Sequence, residues 1–443
     1  MAAPVSTDTL VVGVWSAILA GTCGLWGIPA VLLWNRRHLE PIRSRRPHLL
    51  LAVAYFMLLL AVWVCVSTVF RDRISVAVNG FVNGFFLETV LETFTFFSFS
   101  LYVAYRRTLS QIKFDEDASG SNQRRWIRIS TWLLKDSVAF AWVASQALIL
   151  FAIEVAYVSD HPQLWHMTIL DGTNDPTSNT YRNIAAYRSM VTAFLAIVVS
   201  VLLRGVSDAF GTVDMMKKTG LTGLIGLVIY AGFYRILGPI SPLGIPQMIS
   251  VLACNSALWF VMGRPLVDTY RASTSSASRK ESSSKSDHIL ETFEEFLATT
   301  DGFAAFKAHL QTEFAVESLL FWAAVRKFQA EFTNDPNGVD AARSIYSDFL
   351  ANNAPLQINL PSTSFRHFQN IFANADLAGN IEANMFDRAS EQMLILMETN
   401  SLARFQKSKN GHVWTEFIEN GGPMPIPLSD TTTDNVLMRA HAP

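Results

Sequence analysis

The sequence predicts an all-α protein in which a seven-helix transmembrane bundle is followed by a cytoplasmic all-helical domain. Three observations carry that expectation. The 443-residue chain is 50% hydrophobic and 16% charged, with a mean hydropathy of +0.25, too apolar for an ordinary water-soluble protein of this length. The excess is uneven, with long apolar blocks from about residue 9 to residue 263 and ordinary charge density from about residue 270 onward. The later part repeats apolar residues at i, i+3 and i+4 in several short segments and shows no strand-like alternation.

A bilayer core of ~30 Å takes about 20 apolar helical residues, and this sets the block length that matters. Blocks at 10–34, 49–70, 138–158, 184–203 and 243–262 have that length with charge kept to their ends. Two further blocks are less pure: 78–105 carries Glu88 and Glu92, and 221–237 is Gly-rich and reaches Tyr234 and Arg235. Orientation follows from Lys and Arg, because basic short loops resist translocation. The loop after the first span holds Arg36, Arg37, Arg43, Arg45 and Arg46, and the loop after the third holds Arg106, Arg107, Lys113, Arg124, Arg125 and Arg128, so both read as cytoplasmic. The segment before the first span has no Lys or Arg, and 159–183 sets Asp160, Asp171 and Asp175 against Arg182, so both read as external. An odd number of spans then puts the C-terminal part in the cytoplasm, in agreement with Arg264, Arg271, Arg279 and Lys280. The expectation is a multi-pass plasma-membrane protein with its N-terminus outside, whose first block, lacking a basic stretch before it, stays as a signal anchor.

The formal net charge of −2 and the absence of a dense basic face argue against a nucleic-acid partner. Cys23, Cys65 and Cys254 all lie in apolar blocks, with no CxxC or zinc spacing, so no disulfide framework, metal site or cofactor is expected. Glu88 and Glu92 are different in kind. Four residues apart on one helix, they share a face and repel if both are ionised. A carboxylate at bilayer depth costs ~2.5–3.5 kcal/mol on insertion scales and usually faces a bundle interior. Two readings stay open: a ligand or proton site, which includes a small extracellular ligand as a partner, or packing residues at the interface or paired with arginine. Glu154, Asp136 and Arg235, nearer to span ends, are further candidates.

The transmembrane domain is therefore placed at 1–268, and a Ser-rich linker at 269–286, where STSSASRKESSSKS (273–286) is too polar to bury a core. A helical domain follows at 287–420 and a Pro-, Ser- and Thr-rich tail at 421–443, read as disordered. Within 287–420 the apolar series runs through Phe293, Phe296 and Leu297, Phe303, Phe306 and Leu310, Leu319, Trp322, Val325 and Phe328, then Ile345, Phe349 and Leu350, Phe365, Phe368 and Phe372, and Met393, Leu396 and Met397. Breakers at 301–302, 335–338, 359–361 and Gly379 separate them. There is no P-loop, nucleotide fingerprint or nucleophile constellation, so the residues alone describe an all-α binding module.

The runs GFAAFK (302–307), EFAVESLLFW (313–322), Phe386-Asp387 and LMETNSLARF (396–405) resemble the start, signature helix and closing helices of the RGS domain, the regulator of G-protein signalling family. Seven spans ahead of such a domain are similar in architecture to the hybrid receptor-like RGS proteins of plants, fungi and amoebae. The resemblance implies a binding face for the α subunit of a heterotrimeric G protein, made of Glu317 and Ser318 on a first loop, Asn359 and Leu360 on a second, and Leu396, Asn400, Ser401 and Arg404 on a third. It implies a GTPase activator and not an enzyme in itself, membrane-tethered beside lipid. Two positions depart from the family pattern: Ser318 stands where Asn is frequent, and Asn400 where an Asp commonly contacts a switch backbone. Two alternatives remain, a non-accelerating G-protein scaffold and a membrane sensor or transporter with a regulatory RGS-like domain. From residue types alone, Asn359 would read equally as a helix cap or turn residue.

Overall fold

The computed structural model describes residues 7–39, 42–116, 121–206, 208, 210–237, 244–277, 286–333, 336–352, 354–373 and 381–419. The tail at 421–443, Gly379 and the linker residues 278–285 lie outside them. The described residues are helical almost throughout, and their only strand-like pairing is an isolated bridge between Ser75 and Thr168. The chain divides into two compact units, one of residues 1–102, 133–206 and 210–278, the other of 103–132, 207–209 and 279–443.

The first unit is built from α1 (Thr7–Asn35), α2 (Pro47–Val69), the first part of α3 (Val76–Glu116), α5 (Asp136–Asp160), α6 (Pro176–Leu202), α7 (Thr212–Leu237), α8 (Ile245–Leu258) and α9 (Arg264–Ala277). Its starts are written locally. Pro47 and Pro176 occupy first turns, where the missing N–H costs nothing, and the Asp175 carboxylate accepts the Ser178 amide at 2.7 Å as an N-cap. Gly244 precedes α8 at a φ of 65°, and a Cβ there would press on the Trp15 ring at 3.2 Å. A π-turn, Trp259–Gly263, joins α8 to α9 as one continuous helical path.

Among the described residues six helices are long and apolar enough to cross a membrane, including Val76–Asp115 and Ile245–Tyr270. The helix at Thr212–Leu237, over the block expected as the sixth span, is not among them. Within that helix the side chains at 231, 234 and 235 lie outside the described residues. The distribution of polarity is the inverse of a water-soluble bundle. Leu148, Phe194 and Leu252 are 64–67% exposed, whereas Glu88, Glu92 and Glu154 are 1–2% exposed. Two boundaries differ from the expected ones. The third helix does not stop near Tyr105 but runs to Glu116, because RRTLSQIKF continues an amphipathic pattern past the apolar block. Helix also carries on through Ser273–Ala277 of the Ser-rich stretch, since serine costs a helix only a few tenths of a kcal/mol relative to alanine.

The second unit holds α4 (Ser121–Leu133), α10 (Ser286–Ala298), α11 (Thr300–Glu313), α12 (Glu317–Glu331), α13 (Pro336–Ile345), α14 (Ser362–Ala373), α15 (Asp387–Met397), α16 (Ala403–Phe405) and α17 (His412–Glu419). One of its cores joins α10, α11, α12 and the closing helices through Phe293, Phe296, Phe306, Trp322 and Phe405, with Phe306 and Phe405 edge to face at 5.2 Å. The other packs Phe321, Phe328, Phe349, Phe368 and Phe386 and takes in Ile112, Phe114 and Ile127 from the 103–132 segment. The elbow from α10 to α11 requires glycine: Thr299 Oγ1 accepts the Gly302 amide at 3.1 Å, and a Cβ on Gly302 would lie 2.1 Å from the Phe296 carbonyl oxygen.

Candidate functional site

The first of the three loops singled out in sequence is made by stopping α11 abruptly. Phe314 takes a left-handed conformation with φ 56°, unusual for an aromatic residue, and its amide caps the helix on the carbonyls of Leu310 and Gln311. Three residues later α12 begins at Glu317, with Val316 fully buried beneath it. Ser318 is 6% exposed, so it faces the core edge more than solvent. Glu317 is half-buried; burial pushes its carboxyl pKa up, while its own backbone amide and the Arg107 guanidinium oppose the rise.

The second loop is launched by a π-turn, Tyr346–Leu350, whose extra residue re-aims the chain. The loop then folds back on that turn: the Leu356 amide donates to the Asp348 carbonyl at 2.8 Å and the Ile358 amide to the Phe349 carbonyl at 3.1 Å. Extended backbone alternates its side chains, and here Leu356, Ile358 and Leu360 are buried while Asn359 between them is exposed. Asn359 thus stands on a segment anchored on both sides, at the rim of a hollow of about 490 Å³ lined by Asn352, Gln357, Arg366 and Gln369 among others.

The third loop is a second π-turn, Glu398–Leu402, carrying exposed Asn400 and buried Ser401, with Leu396 half-buried just before it. Its anchor is Glu313, the last residue of α11. Ser401 Oγ donates to Glu313 Oε2 at 2.6 Å, Arg404 Nε to Oε1 at 2.6 Å and the Arg404 Nη2 to Oε2 at 3.0 Å, while His309 Nε2 lies 3.0 Å from Oε1. Burial alone would raise the Glu313 carboxyl, but the close His309 imidazole, the Arg404 hydrogen bonds and charge and the Ser401 hydroxyl hold its pKa down to about 2. The clamp joins the first loop to the third, and shared burial of Val316, Leu356, Ile358 and Leu360 in one cluster joins the first to the second. The eight residues singled out in sequence therefore lie on three mutually braced loops. They divide by role: Asn359 and Asn400 are presented outward, Ser401 and Leu360 are packed, and the Arg404 fork is committed to Glu313. Glu313 and His309 were missed as site residues; their i, i+4 spacing was the available signal.

The first unit has a second constellation, and its centre is Arg188 on α6, absent from the sequence-based candidates. Arg188 Nε donates to Glu88 Oε1 at 2.8 Å, and its Nη2 lies 3.4 Å from Glu92 Oε1 and also bonds Gln146. Glu92 further accepts the Trp142 indole N–H at 2.9 Å and the Thr192 hydroxyl at 3.0 Å. Three helices, α3, α5 and α6, are tied by this one network, which is the arginine-paired arrangement left open from sequence. Among the described residues Glu88 Oε2 has no hydrogen-bond partner. Glu154 is buried beside Gly84, where a Cβ would come within 2.6 Å of its carboxylate. Asp136 pairs with Arg46 at 2.8 Å.

The second unit, with loops at one end braced around an outward asparagine and no nucleophile or nucleotide cradle among the described residues, defines a helical docking module. Residues 292–410 match the family model described as the regulator of G protein signaling domain. The chain is 32% identical over 151 residues to regulator of G-protein signaling 1 of Xenopus laevis, covering 33% of this chain and 71% of that one. It is 31% identical over 138 residues to regulator of G-protein signaling 18 of Rattus norvegicus (31% and 54%), and 32% identical over 132 residues to regulator of G-protein signaling 16 of Homo sapiens (29% and 62%). The chain belongs to the regulator of G-protein signaling family. It spans 54% and 62% of the lengths of the rat regulators 18 and 5 that it matches. No solved structure matches it significantly.

Proposed function

We propose that this chain is a membrane-tethered GTPase-activating protein for the α subunit of a heterotrimeric G protein. The observation that carries the reading is Asn359, exposed on a loop whose neighbouring side chains on both sides are buried, and therefore preorganised to meet a partner. A Gα subunit already holds a catalytic arginine and glutamine and hydrolyses GTP at ~10⁻² s⁻¹, so a partner need only order its switch loops. A ~100-fold acceleration corresponds to ~2.7 kcal/mol, within reach of positioning one glutamine and its attacking water. In this reading Asn359 contacts that glutamine, Glu317 and Asn400 hold switch backbone, and Glu313 keeps Arg404 and Ser401 in place behind them. No bond is made or broken on this chain.

The tether is the apolar first unit, with the N-terminus outside and the second unit on the cytoplasmic side of the plasma membrane, next to lipid-anchored Gα at raised local concentration. Control by a small extracellular ligand or a proton would act through Arg188, Glu88 and Glu92. What supports that route is α3 itself, one unbroken helix bearing Glu88 and Glu92 and, further along, Arg107 and Gln111. The test is single-turnover GTP hydrolysis by purified Gα with the full chain in lipid nanodiscs. Acceleration lost at least about tenfold in Asn359→Ala is the expected result. A folded chain that binds Gα without speeding hydrolysis would instead make it a scaffold.

A further inference from the structure

The helix α4, SNQRRWIRISTWL, is the most sharply two-faced element of the second unit that the Gα reading leaves unused. On one side Ile127 and Ser130 are 2% and 0% exposed, with Ile127 inside the domain core. Arg124 flanks that side, paired to Asp348 at 3.6 Å and set over the Phe114 ring at 4.9 Å. The other side is bare. Trp126, Ile129 and Trp132 are 37%, 41% and 56% exposed, and Arg125 and Arg128 lie among them, also exposed. At about 100° per residue these five occupy an arc of ~160° centred near Arg125, opposite Ile127. Among the described residues neither arginine has an ion-pair partner, and the helix contains no Asp or Glu.

Single exposed apolar residues need no explanation, but two tryptophans and an isoleucine on one stripe with two unpaired arginines do. The composition selects one occupant. Tryptophan rings favour the headgroup level of a bilayer, and arginines beside them attract anionic lipids. A second copy of the same face would meet it with like charge and no acidic complement. We propose that the exposed face of α4 docks on an anionic lipid headgroup surface, so that this helix holds the membrane on one side and the domain core on the other. The inference rests on the membrane-tethered reading above, since only Leu134 and Lys135 separate α4 from the start of α5 at Asp136.

The test uses the full chain, without the exposed native Cys23, reconstituted into phosphatidylcholine nanodiscs with or without phosphatidylserine. Ile129→Cys reports on the exposed face and Ser130→Cys on the buried one, each by its rate of reaction with a membrane-impermeant maleimide. Insertion to headgroup depth should slow the Ile129→Cys reaction about tenfold with phosphatidylserine present and leave it fast in phosphatidylcholine alone. Arg125→Glu with Arg128→Glu should restore fast labelling, because each basic residue near such a surface contributes about fivefold in binding. Ser130→Cys should stay protected throughout, showing that α4 remains folded and seated. Equal rates in the two lipid compositions overturn the proposal, as does protection that arises only when a G protein is added. Failure of the chain to enter nanodiscs at all would sink the tethered reading and this inference with it, a result distinct from insertion with unchanged labelling.

Discussion

At the scale of single residues, the Glu313 carboxylate does the most work, because one buried anion, with a side chain 2% exposed, holds two loops of the proposed Gα face together. Its pKa of about 2 lies below the ordinary glutamate value of about 4.3, so the folded state binds fewer protons there than the unfolded state. The stabilisation, on the order of 3 kcal/mol, is therefore fully present above about pH 4.3 and is lost as pH falls through the folded value. Glu313→Gln should lower stability by about 3 kcal/mol near neutral pH, since it strips Arg404 of its anion. It should also flatten the acid limb of a denaturation profile followed by circular dichroism; an acid limb of unchanged steepness would show that other carboxylates dominate. Glu317 sits differently, half-buried and facing Arg107, on the first loop of the proposed Gα face. Glu317→Lys should cut acceleration of Gα GTP hydrolysis at least about tenfold with unchanged helicity, as a like-charge meeting at an interface costs more than the lost contact. Wild-type rates in that variant would remove the first loop from the binding face.

At the scale of elements, the turns decide the geometry. The α10 to α11 elbow places backbone against the pro-Cβ position of Gly302, and a carbonyl held in a helix end cannot step aside. Gly302→Ala should therefore destabilise the second unit by about 2–4 kcal/mol, measured by urea denaturation, whereas Ala304→Gly, further along the same helix, should cost about 1 kcal/mol. The same elements mark what the sequence could disclose. Apolar spacing of 3 and 4 was enough to place the aromatic core, because Phe293, Phe296, Phe306, Trp322 and Phe405 are all buried where periodicity puts them. The π-turns at Tyr346–Leu350 and Glu398–Leu402 carry no local signature, since each is stabilised by what packs across it. Arg188 was hidden for a related reason. It lies within an expected apolar span, and only the fold brings it to carboxylates a hundred positions earlier. Gln111, donating to the Pro355 carbonyl at 3.1 Å, was equally unreadable from its neighbours. The residues past Tyr105 read as a basic loop, and neither their helical continuation nor the burial of Ile112 and Phe114 in one cluster with Leu356, Ile358 and Leu360 followed from that reading.

At the scale of the whole molecule, α3 is the helix that enters both units, with Glu88 and Glu92 in the first and Arg107 and Gln111 in the second. Its far end touches two of the three loops: Gln111 bonds the backbone of the Asn359 loop, and Arg107 faces Glu317 across the first. In the proposed reading both contacts fix loops that Gα would have to engage, and the Arg107 charge would compete with Gα for the same carboxylate. A half-buried pair of this kind is worth at most about 1 kcal/mol, which is about a fivefold bias at most. Arg107→Gln should then raise Gα GTPase acceleration by the full chain by about two- to fivefold, in single-turnover assays at subsaturating chain. Gln111→Ala separates the alternatives. If the 103–132 segment restrains the loops, both substitutions raise acceleration and their effects on the Gα dissociation constant are of the same sign. If it braces them, Gln111→Ala lowers acceleration by loosening the Asn359 loop while Arg107→Gln still strengthens binding. A fall in both rate and affinity for Arg107→Gln would exclude restraint, and would mean that the third helix supports the loop geometry on which the proposed activity depends.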